Sequence, residues 1–284
     1  MRQRAAAREH LAAVRRASPD NWPDTFRRMA IYDFAGDMNI GFVLAYFRSF
    51  AVPATAAALR GTGEITQRPG KRATDTGIVV YEIIVHGFDS DHGRAMVQLL
   101  RRVHTGVPGT DADFRYVLIS LLIAPLRWID AHGWRTVEPA EREAAYRFFA
   151  ELGRRIGLAE VPGSYDAAAA FFDAYETEHV AASAAGAALT SSAMPSFTSK
   201  LPRAVRRHDR AILGALIGDV RVIRALGLPV PGRGVRTLLG LVVRLRAVRS
   251  SARAPATEAG FRSGAARSAY PHGYTLDQVG PYAR

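Results

Sequence analysis

Residues 67–86 of this 284-residue chain read QRPGKRATDTGIVVYEIIVH, and the pattern of this stretch sets the prediction for the fold. Its large aliphatic residues recur at the spacing of one helix face: Ile78, Val79, Ile83 and Ile84. Apolar residues at this period are typical of an amphipathic α-helix rather than of a strand, which would alternate with a period of two. The stretch therefore predicts a helix whose apolar side faces the core.

The start of this helix has two readings. Pro69 suits the first turn of a helix, and that start would place Arg72 and Thr76 on one helix face. Alternatively, Thr74 or Asp75 caps the helix later, and Arg72 then stays in the preceding loop. The sequence does not choose between them.

Helical periodicity dominates the rest of the chain, and clear alternating strands are hard to find, so we predict an all-α protein. Glycine and proline around residues 61–70 predict a loop, and the stretch 250–268 has the composition of a loose connector. The predicted helices are 4–16, 24–36, 38–53, 54–59, a helix beginning at 69 or 74, one from Asp89 or Ser90 to His104, 110–128, 136–156, 164–175, 204–226 and 236–248.

Composition excludes several classes of protein. Hydrophobic residues make up 48% and charged residues 23%, as in ordinary globular proteins. The absence of cysteine excludes disulfides, thiolate metal sites and a thiolate-ligated haem. The first residues lack the apolar core of a signal peptide, and the longest uncharged run, 179–199, is too polar for a convincing membrane span. We therefore expect a cytoplasmic protein.

Positive charge is confined to one part of the chain. Residues 200–284 hold 16 basic and 4 acidic side chains and carry the whole net charge of +12. A basic C-terminal third of this kind favours an anionic surface as a partner. One hypothesis is peripheral contact with an anionic membrane; the other is a non-catalytic module that binds nucleic acid, although no nucleic-acid motif is present.

Five histidines are interpreted as structural or exposed: His86, His92, His132, His179 and His208. His86 and His92 stand six residues apart, and we see no carboxylate arrangement beside them that indicates zinc or non-haem iron.

His104 has two readings. An imidazole from one helix facing Arg72 and Thr76 on another can furnish a haem pocket, with the imidazole as iron ligand. From the residues alone, the favoured interpretation is an ordinary histidine at a helix C-terminus, just before Pro108 and Gly109.

Several stretches, taken in order, are similar to a known family. They are residues 46–53 (YFRSFAVP), 71–76 (KRATDT), Val103–His104, 116–118 (YVL), Pro125 with Arg127–Trp128, Pro162 with Tyr165, Tyr175–Glu176, 270–274 (YPHGY) and Gly280. This ordered set resembles the MpaB-like oxygenases, relatives of the latex-clearing rubber oxygenases, from about Ile31 to Gly280.

The resemblance implies a globin-like core around haem b and attack by O2 on an alkene in an apolar, terpenoid or lipid-like substrate. It implies that His104 ligates the iron and that Arg72 and Thr76 lie near the haem. Asp75 is a departure, because the rubber oxygenases carry lysine immediately before the threonine. From the resemblance we predict Arg72 and Asp75 as catalytic residues. We also predict a single helical domain spanning 1–284.

Overall fold

The computed structural model describes residues 2–253 and 255–281, which form α-helices and irregular connections without a β-strand. The prediction of an all-α fold is confirmed. The helices are α1 Arg2–Arg15, α2 Trp22–Arg28, α3 Ala35–Phe50, α4 Pro53–Gly61, α5 Glu64–Gln67, α6 Pro69–His86, α7 Asp91–His104, α8 Asp111–His132, α9 Pro139–Ile156, α10 Tyr165–His179, α11 Ala184–Thr198, α12 Asp209–Ile217, α13 Val220–Ala225 and α14 Arg233–Arg253.

Polar caps fix the helix starts that matter for the site. Ser90 accepts a hydrogen bond from the Gly93 amide at the start of α7, and Thr110 forms a reciprocal capping box with Asp113 at the start of α8. Such caps satisfy amide groups that have no partner within the helix. The predicted boundaries at these two residues agree with the structure.

Several predicted boundaries are wrong. The helix predicted over 204–226 is the two helices α12 and α13 with a break at Gly218, and α11 lies where no helix was predicted. Residues 61–70, predicted to be a loop, contain the short helix α5. The side chain of Ile65 is buried in the core, and its burial stabilises this helical turn. The helix expected to be capped by Asp24 begins at Trp22, since Pro23 fits its first turn.

The core is built around the contact between α3 and α8. A Cβ atom at Gly41 would lie 2.2 Å from the Cα atom of Pro125, so only glycine permits this approach. α8 continues through Pro125 and buries Tyr116, Ile119 and Ile123. Burial of side chains of this size is the main source of stability in such a core.

A buried ion pair joins three helices inside this core. Arg48 on α3 donates to the Glu176 carboxylate on α10 at 2.8 and 2.6 Å, and Tyr116 on α8 donates to Glu176 at 3.0 Å. A buried carboxylate needs such donors to offset its loss of water. Three separate stretches of the family pattern thus meet at one network.

None of the helices within the described residues is long and apolar enough on its own to cross a membrane. α3 and α4 together have the length and composition, but they meet at a bend of 95°.

Candidate functional site

α6 and α7 form an antiparallel hairpin whose turn requires two glycines. Gly87 has a φ of +77°, which side chains other than glycine rarely adopt. A Cβ atom at Gly93 would lie 1.9 Å from the Gly87 carbonyl oxygen. Because the turn is this tight, His92 lies over His86 at one end of the hairpin, and His104 returns towards Arg72 at the other.

Arg72 and Thr76 lie on one face of α6, since the helix begins at Pro69. The Arg72 guanidinium donates a hydrogen bond to Thr76 Oγ1, and that hydroxyl donates to the Arg72 carbonyl oxygen at 2.9 Å. The threonine therefore restrains the guanidinium. Of the two starts left open by the sequence, the structure has the earlier one.

His104 is half-buried at the end of α7, with its ring 5.4 Å from that of Phe114. Burial, together with the Arg72 guanidinium, lowers the pKa of His104 to about 4. The imidazole is therefore neutral at pH 7. Neither ring nitrogen makes a hydrogen bond to another described residue, so an sp² lone pair remains available, as metal ligation requires.

Tyr46 is a site residue that we did not single out from the sequence. Burial raises the pKa of its hydroxyl to about 12, and the Arg72 guanidinium opposes that rise. The hydroxyl is buried and has no hydrogen-bond partner within the described part of the chain. Its only sequence signal was its position at the start of the YFRSFAVP stretch.

These groups fit a haem. The neutral imidazole of His104 is a ligand of the type that holds haem iron, and Arg72 offers fixed donors to an anionic group. The buried Tyr46 hydroxyl has no hydrogen-bond partner among the described residues and can therefore pair with a polar group of a bound cofactor. The fit rests on the donors and not on a cavity measured at His104.

A cavity of about 440 Å³ lies beside this cluster rather than on it. Neither Arg72 nor His104 lines it, but Phe114, which packs on His104, directly follows two of its lining residues. The lining residues are Ala54, Thr110, Ala112, Asp113, Phe171, Ala174, Tyr175, Glu178 and His179.

Asp75 faces a different part of the molecule from Arg72. Lys71 donates to the Asp75 carboxylate at 2.6 Å, Tyr270 at 2.5 Å and the Gly280 amide at 3.1 Å. The buried carboxylate thus anchors residues 255–281, which we call the C-terminal strap, to α6. A catalytic role for Asp75 remains a prediction, and these contacts favour an anchoring role instead.

The interpretation of His86 and His92 as histidines without a carboxylate arrangement is wrong. Glu82 Oε2 lies 3.3 Å from His86 Nε2 and 3.3 Å from His92 Nδ1. Burial and the neighbouring His92 lower the pKa of His86, while Glu82 opposes them. Glu82 and His86 stand four residues apart on one helix, a spacing that signals a shared face. The approach of His92 depends on the turn.

Three further histidines contact neighbouring side chains, and His208 accepts a hydrogen bond from Arg207 at 2.9 Å. His132 stacks on Trp128 with ring centroids 4.1 Å apart, and His179 stacks on Tyr175 at the same separation.

Comparison with known proteins identifies the family. The family model described as "ER-bound oxygenase mpaB/B'/Rubber oxygenase, catalytic domain" matches residues 31–261. The chain belongs to this family. As a member of the MpaB and rubber oxygenase family, it carries Arg72, Asp75, Thr76 and His104 inside the matched region.

The sequence identity to individual members of the family is low. Over 120 residues the chain is 29% identical to ER-bound oxygenase mpaB of Penicillium brevicompactum, covering 40% of this chain and 31% of that protein. The mpaB protein of Penicillium roqueforti is 28% identical over 120 residues, covering 40% of each chain. The chain thus spans well under half the length of these relatives. A solved structure of latex clearing protein in its closed state matches 84% of this chain and 72% of that one, with a TM-score of 0.59 and 20% identity, which establishes a shared fold.

Proposed function

We propose that this protein is an oxygenase that holds haem b through His104 and acts with O2 on an apolar, alkene-containing substrate of terpenoid or lipid-like character. The observation that carries the proposal is the neutral imidazole of His104, which has no hydrogen-bond partner among the described residues and lies beside the Arg72 guanidinium, inside the region that matches the oxygenase family. When bound, the haem supplies iron that activates O2 for attack on a carbon–carbon double bond.

Each neighbouring side chain has a distinct task in this proposal. Phe114 packs on the His104 ring and limits its rotation, so that one nitrogen is presented in a fixed direction. Arg72, restrained by Thr76, supplies positive charge to a haem propionate or to negative charge that develops on oxygen. The Tyr46 hydroxyl is protonated at pH 7 and can donate a hydrogen bond in the same place.

The cavity beside the cluster supports an apolar substrate. Its volume of about 440 Å³ lies in the range of small-molecule sites, and Ala54, Ala112 and Phe171 contribute apolar walls. Polar residues such as Asp113 and Glu178 also line the cavity, but the larger part of its exposed lining surface is apolar, which suits a hydrocarbon chain.

Matched pairs of lipids test the reaction class. Haem-loaded protein is supplied with squalene or squalane, and with oleate or stearate, while O2 consumption and carbonyl products are measured. We expect consumption with at least one unsaturated lipid and none with its saturated partner, since only the former has the double bond. Equal consumption within both pairs, or none with any lipid, would contradict the proposed reaction.

We also propose that α14 brings the protein to an anionic membrane surface. Its residues Leu238, Leu241 and Leu245 are more than half exposed, and with Val242 and Val248 they recur at the spacing of one helix face. Exposed arginines lie on other sides of the same helix, among them Arg233, Arg236 and Arg244. Apolar residues beside basic ones are typical of helices that lie in a membrane interface. Two relatives named as ER-bound support the same location.

The alternative of a nucleic-acid module is less well supported. Arg206 and Arg221 are bonded to the chain itself, to the Leu201 carbonyl and to Asp219. The exposed surface of α14 carries an apolar stripe as well as arginines, whereas the affinity of a nucleic-acid module comes chiefly from basic contacts to phosphate.

A further inference from the structure

A second cluster of ligand-type side chains lies at the far end of the α6–α7 hairpin. Glu82, His86 and His92 each present one donor atom, and these atoms all lie within 4.8 Å of one another. Glu82 is ten residues beyond Arg72 on α6, which is about 15 Å along the helix axis. The cluster is therefore separate from the His104 site.

The donor separations suit a metal ion. Metal–ligand bonds of 2.0–2.1 Å in a tetrahedral site place neighbouring donors about 3.3 Å apart. Glu82 Oε2 stands 3.3 Å from His86 Nε2 and 3.3 Å from His92 Nδ1. His86 Nε2 is buried and makes no hydrogen bond to any described residue, although the carboxylate lies this close. An ion between these atoms would give His86 Nε2 a partner and would replace the hydrogen bond between His92 Nδ1 and Glu82 Oε2.

The carboxylate is held in place by residues from the C-terminal strap. Glu82 is fully buried; Tyr274 donates a hydrogen bond to its Oε1, and Ser263 donates to its Oε2 at 3.0 Å. Partners of this kind orient a carboxylate ligand and tune its affinity for metal. The side chains of His86 and His92 are 31% and 42% exposed, so an ion can reach the donors from solvent.

We propose that Glu82, His86 and His92 form a binding site for a divalent first-row transition metal such as zinc. Two imidazoles and one carboxylate are a donor set that such ions prefer, and three protein ligands leave a fourth position for water. The bound ion joins the end of α6 to the start of α7, and through Glu82 it stabilises the attachment of the C-terminal strap. This site does not depend on haem binding at His104.

Equilibrium dialysis of the full-length protein against zinc sulfate, followed by elemental analysis, tests the site. We expect one zinc per chain in the wild type. His86→Gln and His92→Gln should each weaken zinc binding at least tenfold, because each removes one of three ligands. His132→Gln and His179→Gln remove histidines of other helices and should leave zinc binding unchanged. The replaced side chains at 86 and 92 are partly exposed, and far-UV circular dichroism verifies that these variants fold.

Two further measurements separate this site from its competitors. Zinc should raise the thermal midpoint of unfolding of the wild type but not that of His92→Gln. A ligand stabilises the folded protein only when it binds a site that the folded state has and the unfolded state lacks. His104→Ala should keep the zinc while losing haem absorption. If the two imidazoles merely donate hydrogen bonds to a buried carboxylate, no stoichiometric zinc binds. That result, or zinc binding that persists unchanged in both His86→Gln and His92→Gln, would overturn the proposal.

Discussion

The two ends of the α6–α7 hairpin use histidine in opposite electrostatic settings. At one end, the imidazole of His104 faces a guanidinium, and burial beside that positive charge keeps the ring neutral. At the other end, His86 and His92 face the buried carboxylate of Glu82. In our proposals, the first setting leaves one lone pair for haem iron, whereas the second gathers three donor atoms around a single metal ion. The charge of the residue opposite each histidine is what distinguishes the two ends of this pair of helices.

The largest expected effect is on the reaction at the Arg72 end. Arg72→Leu removes the positive charge and its directed donors, and we expect turnover of the unsaturated substrate to fall by about 10²–10³-fold, as for other lost electrostatic stabilisers. Steady-state O2 consumption measures this change.

The control is Arg102→Leu, which changes an exposed arginine on α7 and should leave turnover unaffected. Unchanged turnover in Arg72→Leu, at full haem occupancy, would remove Arg72 from the mechanism. Zinc binding at the other end of the hairpin should persist in this variant.

The second largest effect is expected at the turn between α6 and α7, which places the two histidine sites at opposite ends of the hairpin. Gly93→Ala forces a Cβ atom against the Gly87 carbonyl, and we expect the free energy of unfolding to fall by about 1–3 kcal/mol, as for other overpacked sites. Zinc affinity should fall as well, because His92 adjoins the displaced backbone. Urea denaturation and dialysis measure both effects.

Gly77→Ala is the matched control within α6. A Cβ atom at Gly77 meets nothing within 4 Å, so this substitution should be neutral or stabilise the helix by up to about 1 kcal/mol. Equal destabilisation by both alanine variants would show that the turn is not a special constraint.

Asp75 lies between the two ends and is predicted to anchor the strap. Asp75→Asn weakens the bond from Lys71, and we expect a loss of stability of about 1–3 kcal/mol with a smaller effect on turnover than Arg72→Leu. Tyr270→Phe removes another donor to the same carboxylate and should shift stability in the same direction. A large loss of turnover in Asp75→Asn without loss of stability would instead assign Asp75 to the reaction.

The sequence predicted the Arg72 end better than the Glu82 end, and the reason is physical. Arg72 and Thr76 share a helix face, so local spacing predicts their contact once Pro69 is placed in the first turn. His92 reaches Glu82 only because Gly87 and Gly93 permit a tight turn, which is a property of tertiary packing. The carboxylate four residues before His86 was the available local signal.

Other features also depended on packing. The Tyr46 hydroxyl is buried without a hydrogen-bond partner among the described residues, which only the packing around it reveals. The contacts of Asp75 with the C-terminal strap join residues that are far apart in the chain. The sequence of α14 allowed two interpretations: its apolar side chains pack on the core, or they are exposed and can contact a membrane. In the structure, both apply to different residues: Val243 is buried, whereas Leu241 and Leu245 are each more than half exposed to solvent.

The smallest expected effect concerns α14, which lies outside the hairpin. Leu241→Asp with Leu245→Asp should reduce co-sedimentation with anionic vesicles several-fold at low salt, because the apolar stripe is lost and like charge opposes the lipid. Ser251→Asp is a control that adds an acidic side chain at an exposed position of α14 outside the stripe. Equal binding of the wild type to neutral and anionic vesicles, or to neither, would refute membrane contact through this helix.

The most direct test of the central claim is the absorption spectrum of protein produced with an adequate haem supply. The wild type is predicted to show a Soret band that corresponds to one haem per chain, and His132→Ala should retain it. His104→Ala should lose the Soret band while its far-UV circular dichroism stays that of a folded helical protein. Full haem occupancy with an unchanged spectrum in His104→Ala would contradict the assignment of His104 as the iron ligand.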